Sequence, residues 1–211
     1  MTLTDVPSPI DFRQMSDAQE WERTAMQRPF REDFFEAFAN ELDKINKPSI
    51  KVLELGSGPG FLAQHILSRL AKVELSLLDF SPAMHELAGR RLTNVIDRVT
   101  FVERSFKEPG WEQGLGKLDA VITNQAVHEL RHKRYSVALF QQVKSLLIPG
   151  GLFLFCDHYY GDDAMKNDQL YMSLTEQRAA LQSAGYSATE ILVKGGRAFY
   201  RAQPDHQIIT Q

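Results

Sequence analysis

Hydrophobic positions along the chain follow two rhythms. From Asp17 onward Trp21, Met26, Phe30, Phe34, Phe38, Leu42 and Ile45 recur three to five residues apart, with Arg, Glu and Asp between them. That is the spacing of an amphipathic helix, and Pro29, which lacks an amide donor, should divide it in two. After Pro48 short apolar runs take over. They predict strands at 50–55, at 73–78 ending in Asp79, and at 98–102, 118–123 and 151–157. Helical segments lie between and after them, at 61–70, 82–92, 132–147 and 175–184. Ser81-Pro82 supplies an N-cap and a first-turn proline for the second of these. Two β-like runs, 187–193 and 197–202, are joined by Gly195-Gly196 and read as a hairpin. Short apolar strands alternating with helices predict an α/β fold, a mostly parallel, doubly wound sheet with helices on both faces and right-handed crossovers. The first dozen residues, which include Pro7 and Pro9, read as irregular and mobile.

Composition narrows the function classes. A chain of 211 residues is one domain with an added N-terminal element, divided here as a helical cap at 1–47 and a binding domain at 48–211. At 43% hydrophobic, 24% charged and a net charge of −3, it has the make-up of a soluble protein without a bulk basic face, so nucleic acid is not expected as a partner. The N-terminus lacks a basic start and an apolar run long enough for a signal peptide, and no later segment reaches membrane-spanning length, which makes the cytoplasm the expected location. The lone Cys156 excludes an internal disulfide and reads as a small buried hydrophobe in a strand.

Candidate chemistry centres on Val52-Leu53-Glu54-Leu55-Gly56-Ser57-Gly58-Pro59-Gly60-Phe61, a strand, a glycine turn and a helix start. Glycines here let the backbone take conformations closed to other residues and let a ligand lie against the main chain. A dinucleotide fingerprint needs its last glycine one residue later, and Pro59 removes an amide that pyrophosphate would use. Glu54 at the strand end favours a ligand with positive charge, an amino group or a sulfonium. An ordinary tight βα connection is the competing reading.

The run resembles the first motif of Rossmann-like, class I S-adenosylmethionine-dependent methyltransferases of the small-molecule type. Further matches extend the resemblance over Pro48 to Gln203. Leu147-Ile148-Pro149-Gly150-Gly151 is similar to the turn before the family's fifth strand, and the closing hairpin to its seventh strand, inserted beside the fifth and sixth. The resemblance implies S-adenosylmethionine as cofactor, held by Glu54, Gly56, Ser57, Gly58 and Gly60 of the glycine turn. It also implies Asp79 on the ribose hydroxyls, Phe80 and Met84 against the base, Ser105 and Phe106 at the adenine, and Asn124 and Gln125 along the methionine part. Ser105 stands where the family commonly has Asp. Asn124-Gln125-Ala126-Val127 replaces the Asn-Pro-Pro-Tyr type of segment, which argues against adenine or glutamine as acceptor, and no Pro-Cys nucleophile is present.

The activity implied is transfer of a methyl group to an oxygen or nitrogen of a small-molecule acceptor. His128 is the first candidate for a base, because a neutral imidazole titrates near neutral pH, and Asp157 and His158 at the end of the fifth strand come next. Tyr159 and Tyr160 are expected as pocket walls. No metal is expected, since the two acidic ligands and Asn of catechol-type relatives are not reproduced. Two alternatives remain: a catalytically silent regulatory module that binds the cofactor, and a nicotinamide-dependent oxidoreductase.

Overall fold

The computed structural model describes residues 4–205. Two helices, α1 (Met15–Ala25) and α2 (Arg31–Asp43), lead into β1 (Ile50–Leu55), α3 (Phe61–Arg69), β2 (Val73–Asp79), α4 (Pro82–Arg91) and β3 (Val99–Glu103). There follow β4 (Leu118–Asn124), α5 (Ser136–Leu146), β5 (Leu147–His158), α6 (Leu174–Ser183), β6 (Tyr186–Lys194) and β7 (Arg197–Pro204). The strands form one seven-stranded sheet in the order β3-β2-β1-β4-β5-β7-β6. The first five pair in parallel, and β7 runs antiparallel to both β5 and β6. Gly195 and Gly196, both at positive φ, make the tight return that lays β7 between β5 and β6. This is the Rossmann-like methyltransferase architecture.

The strands read as nearly continuous apolar runs because both faces of the sheet are covered. Leu53, Leu55, Val121, Phe153 and Phe155 point to the α5–α6 side, where they meet Phe140, Val143 and Leu181. Val52, Leu75, Leu77, Ile122, Leu154 and the free, buried Cys156 point to the other side, against Phe34, Phe38 and Leu42 of α2 and Leu62 and Ile66 of α3. Helix α1 packs instead on α4, with Ala18 against Met84 and Leu87 and with Phe12, Met15 and Trp21 alongside.

Three expectations need correction. Met26 and Phe30 belong to the helical apolar pattern but are 39% and 43% exposed, because both fall in the break around Pro29. Phe30 takes a left-handed φ of 61° and lies under the Lys194 ammonium, 4.4 Å from its ring centroid. The helix expected from 132 starts at Ser136: His132 is extended, its Nδ1 accepts the Arg134 amide at 3.1 Å, and a 3-10 turn over Lys133–Tyr135 comes first. Strand β5 begins at Leu147 rather than 151. Pro149-Gly150-Gly151 makes an irregularity in the pairing with β4, between Leu118 and Ala120, rather than a turn before the strand.

Residues 4–14 form no helix or strand, and residues 1–3 of the expected irregular segment lie outside the described residues. The segment is nonetheless tied down. The Val6 amide donates to the Arg131 carbonyl at 2.8 Å, and the Arg131 guanidinium donates to the carbonyls of Val6 at 2.9 Å and Pro7 at 2.6 Å. Ser81 Oγ donates to the Phe12 carbonyl.

Candidate active site

Strand parity assembles the site. Successive side chains alternate between faces, so Glu54 shares a face with Val52, Asp79 with Leu77, Asn124 with Ile122 and His158 with Cys156. All four polar residues therefore stand at the carboxyl ends of neighbouring strands on the α2–α3 side, where open α/β sheets bind ligands. They line a cavity of about 450 Å³.

The glycine turn forms one wall. Gly56, Gly58 and Gly60 all have positive φ, at 65°, 53° and 78°. A Cβ on Gly56 would lie 2.4 Å from Ala126 Cβ, whereas one on Gly58 would meet nothing within 4 Å and would project into open space. The Asp79 carboxylate accepts the Gly58 amide at 2.8 Å and the Ser81 amide at 3.0 Å, so it fixes the loop as well as facing the cavity. Burial pushes its pKa up to about 6, against the pull of those amides. Glu54, 2% exposed, is raised further by burial and by the charge of Asp79. Its Oε2, with Ser57 Oγ and Gln125 Oε1, is buried without a hydrogen-bond partner, and all three residues line the cavity. Such orphaned atoms are costly unless a ligand satisfies them.

The opposite wall carries a histidine–aspartate pair. His128 lies in a 3-10 turn, Val127–Leu130, that follows β4. Its Nδ1 is 2.7 Å from Asp157 Oδ1, and its backbone amide donates to Asp157 Oδ2 at 2.9 Å. An ionised carboxylate only accepts, so in the neutral ring Nδ1 carries the proton and Nε2 keeps a lone pair. Nε2 lies 3.6 Å from Glu129 Oε1. Burial alone would push the His128 pKa down, but the charge and hydrogen bond of Asp157, with Glu129 behind them, leave it raised above 6.5. Asp157 is lowered despite its burial, by His128 and then His158. His158 is pushed down to about 4, chiefly by burial, and stays neutral. The rings of His128, His158 and Tyr171 pack together with centroids 5.3–6.0 Å apart.

Of the residues singled out from sequence, Glu54, Gly56, Ser57, Gly58, Asp79, Phe80, Met84, Ser105, Phe106, Asn124, Gln125, His128 and His158 line the cavity. Gly60 does not. A Cβ there would lie 3.1 Å from Ala88 Cβ, so Gly60 serves the close packing of the loop on α4. Asp157 points to the other face and reaches the cavity only through His128. Tyr159 and Tyr160 are not the expected walls: Tyr159 has the parity of Asp157, packs in the α5–α6 core and donates to Asp163 at 2.7 Å, and Tyr160 is 39% exposed. Met165, Leu170 and Tyr171 take that place. Sequence reading also passed over Trp21, Arg28, Arg31, Glu129, Arg131 and the strap residues Ser8, Pro9, Ile10 and Phe12, all on the cavity wall. Arg31 had a signal: three and four residues before Phe34 and Phe35, it is a charge on an apolar helix face.

The family model described as a methyltransferase domain matches residues 25–191. The chain belongs to the methyltransferase-domain family. Among curated relatives it is 29% identical over 143 residues to highly reducing polyketide synthase 2 of Gibberella zeae, a match covering 60% of this chain and 5% of that one. It is 23% identical over 166 residues to malonyl-[acyl-carrier protein] O-methyltransferase of a Paenibacillus species, covering 70% of this chain and 58% of that one. It thus spans less than two thirds of either relative. In fold it resembles the DhpI-SAH complex, with a TM-score of 0.69 at 22% identity over 92% of this chain and 97% of that one. No helix among the described residues is long and apolar enough to cross a membrane.

Proposed function

We propose that this methyltransferase domain moves a methyl group from S-adenosylmethionine to an oxygen or nitrogen of a small-molecule acceptor, in the cytoplasm. The observation that carries the reading is one cavity lined both by the glycine turn with Asp79 and by His128, whose ring Asp157 holds from behind the wall. The donor set suits the cofactor. In this reading Asp79 would accept the ribose hydroxyls and Glu54 the ammonium, Ser57 and Gln125 offer unpartnered polar atoms, and Phe80, Met84, Ser105 and Phe106 would wall the base. Asn124 flanks the methionine part. The DhpI relative is named as a complex with SAH, S-adenosylhomocysteine, which supports the assignment.

A bound S-adenosylmethionine would supply a methyl group already activated by its sulfonium. The protein's work is then to hold the acceptor in line, exclude water and, where the acceptor carries a proton, take it. Nε2 of His128 is the base, and Asp157 holds the ring in the tautomer that leaves this nitrogen free. The N-terminal segment through residue 47 acts as a cap in its described part, residues 4–47: Trp21, Arg28 and Arg31 of the helical part and Ser8, Pro9, Ile10 and Phe12 of the strap line the cavity.

Calorimetry with SAH tests the reading. Binding is expected, and Asp79→Ala should weaken it by roughly tenfold to a hundredfold, the worth of one or two charge-assisted hydrogen bonds. The ionised carboxylate accepts hydroxyl donors more strongly than its protonated form, so affinity should fall as pH drops through about 6, to which burial raises Asp79. No binding, or an Asp79→Ala protein that binds as well as wild type, would defeat the assignment. Cutting the strap loose is a second test. Arg131→Ala removes the donors to Val6 and Pro7 and should speed SAH release by about tenfold. Amide exchange at Val6 should rise with it, and an unchanged release rate would show that the strap does not close the site.

A further inference from the structure

Methyl transfer leaves three guanidinium groups unexplained. Arg31, the first residue of α2, is 6% exposed and lines the cavity, with Nε and Nη1 buried and unpartnered. Arg197, paired across the sheet with His158, is 2% exposed, and its Nε and Nη1 are likewise unpartnered. Arg28 lines the cavity from the turn between α1 and α2, where its charge acts on Arg31, Arg197 and His158. Among the described residues none of the three has a carboxylate in an ion pair.

The acids around these groups supply little negative charge, and the ionised Asp157 beside them is already paired with His128 at 2.7 Å. Burial pushes the Arg31 pKa down to about 10, which still leaves it a cation at neutral pH. The acids that act on it, Glu54 and Cys156, are both driven toward their neutral forms by burial. Asp33, which acts on Arg197, is already paired with Lys194 at 2.6 Å. The rings of Trp21, Phe35 and Phe61, 5.3–5.9 Å from the Arg31 guanidinium, orient the cation but accept nothing from its in-plane N–H groups. The cofactor does not close the gap either. S-adenosylmethionine carries an ammonium and a sulfonium against one carboxylate, so its binding would leave the balance positive. Arg31 and Arg197 are buried cations with the exposed Arg28 beside them, and buried charge of one sign calls for a counter-ion.

We propose that the methyl acceptor is an organic acid, its oxyanion held by Arg28 and Arg31, its apolar body against Trp21, Met165 and Leu170, and its nucleophilic atom at His128. Arg197 is a positioning residue: its Nη2 donates to the Pro29 carbonyl and so fixes the turn that carries Arg28. The inference rests on the methyl-transfer reading, and a binding experiment keeps the two separable.

The SAH-loaded protein is titrated with benzoate, phenylphosphonate and inorganic phosphate, and with benzamide as the neutral match of benzoate. At least one of the two organic acids should bind about tenfold or more tightly than benzamide, with a preference that falls with added salt. Benzoate and phenylphosphonate separate a carboxylate from a phosphonate group, and weaker binding of phosphate shows the part played by the apolar body. Arg28→Gln, at an exposed position, should abolish the preference while SAH affinity stays within about twofold. Equal binding of acid and amide, no acid-specific binding at all, or phosphate binding as tightly as both organic acids would overturn the proposal. It would also fall if Arg28→Gln and Arg31→Gln both weakened SAH but not 5′-methylthioadenosine, and neither touched acid preference, because the guanidiniums would then serve the cofactor's tail. Failure of SAH to bind at all would strike the methyl-transfer reading instead, and acid selectivity would still be readable from melting shifts of the bare protein.

Discussion

Replacing Asp157 by Asn should lower the rate of methyl transfer by about 10²–10⁴-fold, the range of a lost general base or a wrongly oriented one. The Asp157 carboxylate accepts from His128 Nδ1 at 2.7 Å, from the His128 amide at 2.9 Å and from the His158 amide at 2.7 Å. An amide of the same shape has one acceptor oxygen and a nitrogen that donates, so it cannot serve all three. With its oxygen toward Nδ1 and the His158 amide, its nitrogen opposes the His128 amide and displaces the turn that carries the ring; with its nitrogen there, Nδ1 gives up its proton and Nε2 takes one, and in both cases the lone pair is no longer held on the acceptor. Cofactor affinity should hold, because Asp157 lies off the cavity wall. Single-turnover transfer to a hydroxybenzoate, an acid that also carries a protonated nucleophile, measures the rate, and ring NMR of His128 measures its pKa, raised above 6.5 in the wild type and falling in the variant. In the wild type the rate should climb with pH through that raised pKa as His128 becomes neutral. A variant within about threefold of wild type would mean that no proton passes to His128.

Stability gives an independent reading of the same pair. His128 is raised from 6.5, so its contribution is complete below 6.5 and is lost as pH rises through the folded-state pKa. Asp157 is lowered from 3.8, so its contribution is present above 3.8 and is lost as pH falls through the folded-state value. The stability deficit of Asp157→Asn should therefore be greatest between 3.8 and 6.5 and should shrink in alkali.

How far the sequence revealed this site depends on which physical rule each residue obeys. The sheet was legible because strands buried on both faces read as uninterrupted apolar runs, and β1 falls where its pattern places it. Glu54, Asp79 and Asn124 were legible because each stands at or next to the end of such a run. Tyr159 was misplaced by neglect of the two-residue period: counting from Phe155 and Asp157 puts it on the α5–α6 side. His128 and Asp157 were each chosen, but their union was not foreseen, since nothing local in sequence brings a turn after β4 onto the tip of β5. The strap lay further out of reach, because Arg131 meets Val6 across 125 residues of sequence. Arg31 was hidden in plain view, a cation in an apolar stripe that helical periodicity alone treats as an interruption.

Alanine at Gly56 and at Gly58 should fail in opposite ways, although the two positions share a loop and a left-handed backbone. At Gly56 the new Cβ would stand 2.4 Å from Ala126 Cβ, well inside contact distance, at a φ of 65°. Overpacking of about 1–3 kcal/mol then adds to a left-handed cost of about 1–2 kcal/mol. A melting temperature lower by roughly 5–15 °C is expected for a chain of this size. Ala126 cannot yield cheaply, because its carbonyl accepts the Glu129 amide at 3.0 Å and it adjoins the turn that carries His128. Gly58 has nothing within 4 Å of the same added carbon, so only the left-handed cost of about 1–2 kcal/mol remains. Gly58 lines the cavity, so the added methyl group is expected to meet a ligand that lies against the main chain. SAH affinity should drop by about tenfold or more as contact is lost and the loop is pushed away. Melting curves and calorimetry on the two variants decide the matter: a Gly58→Ala protein that binds SAH normally would mean that the cofactor does not lie against this bend.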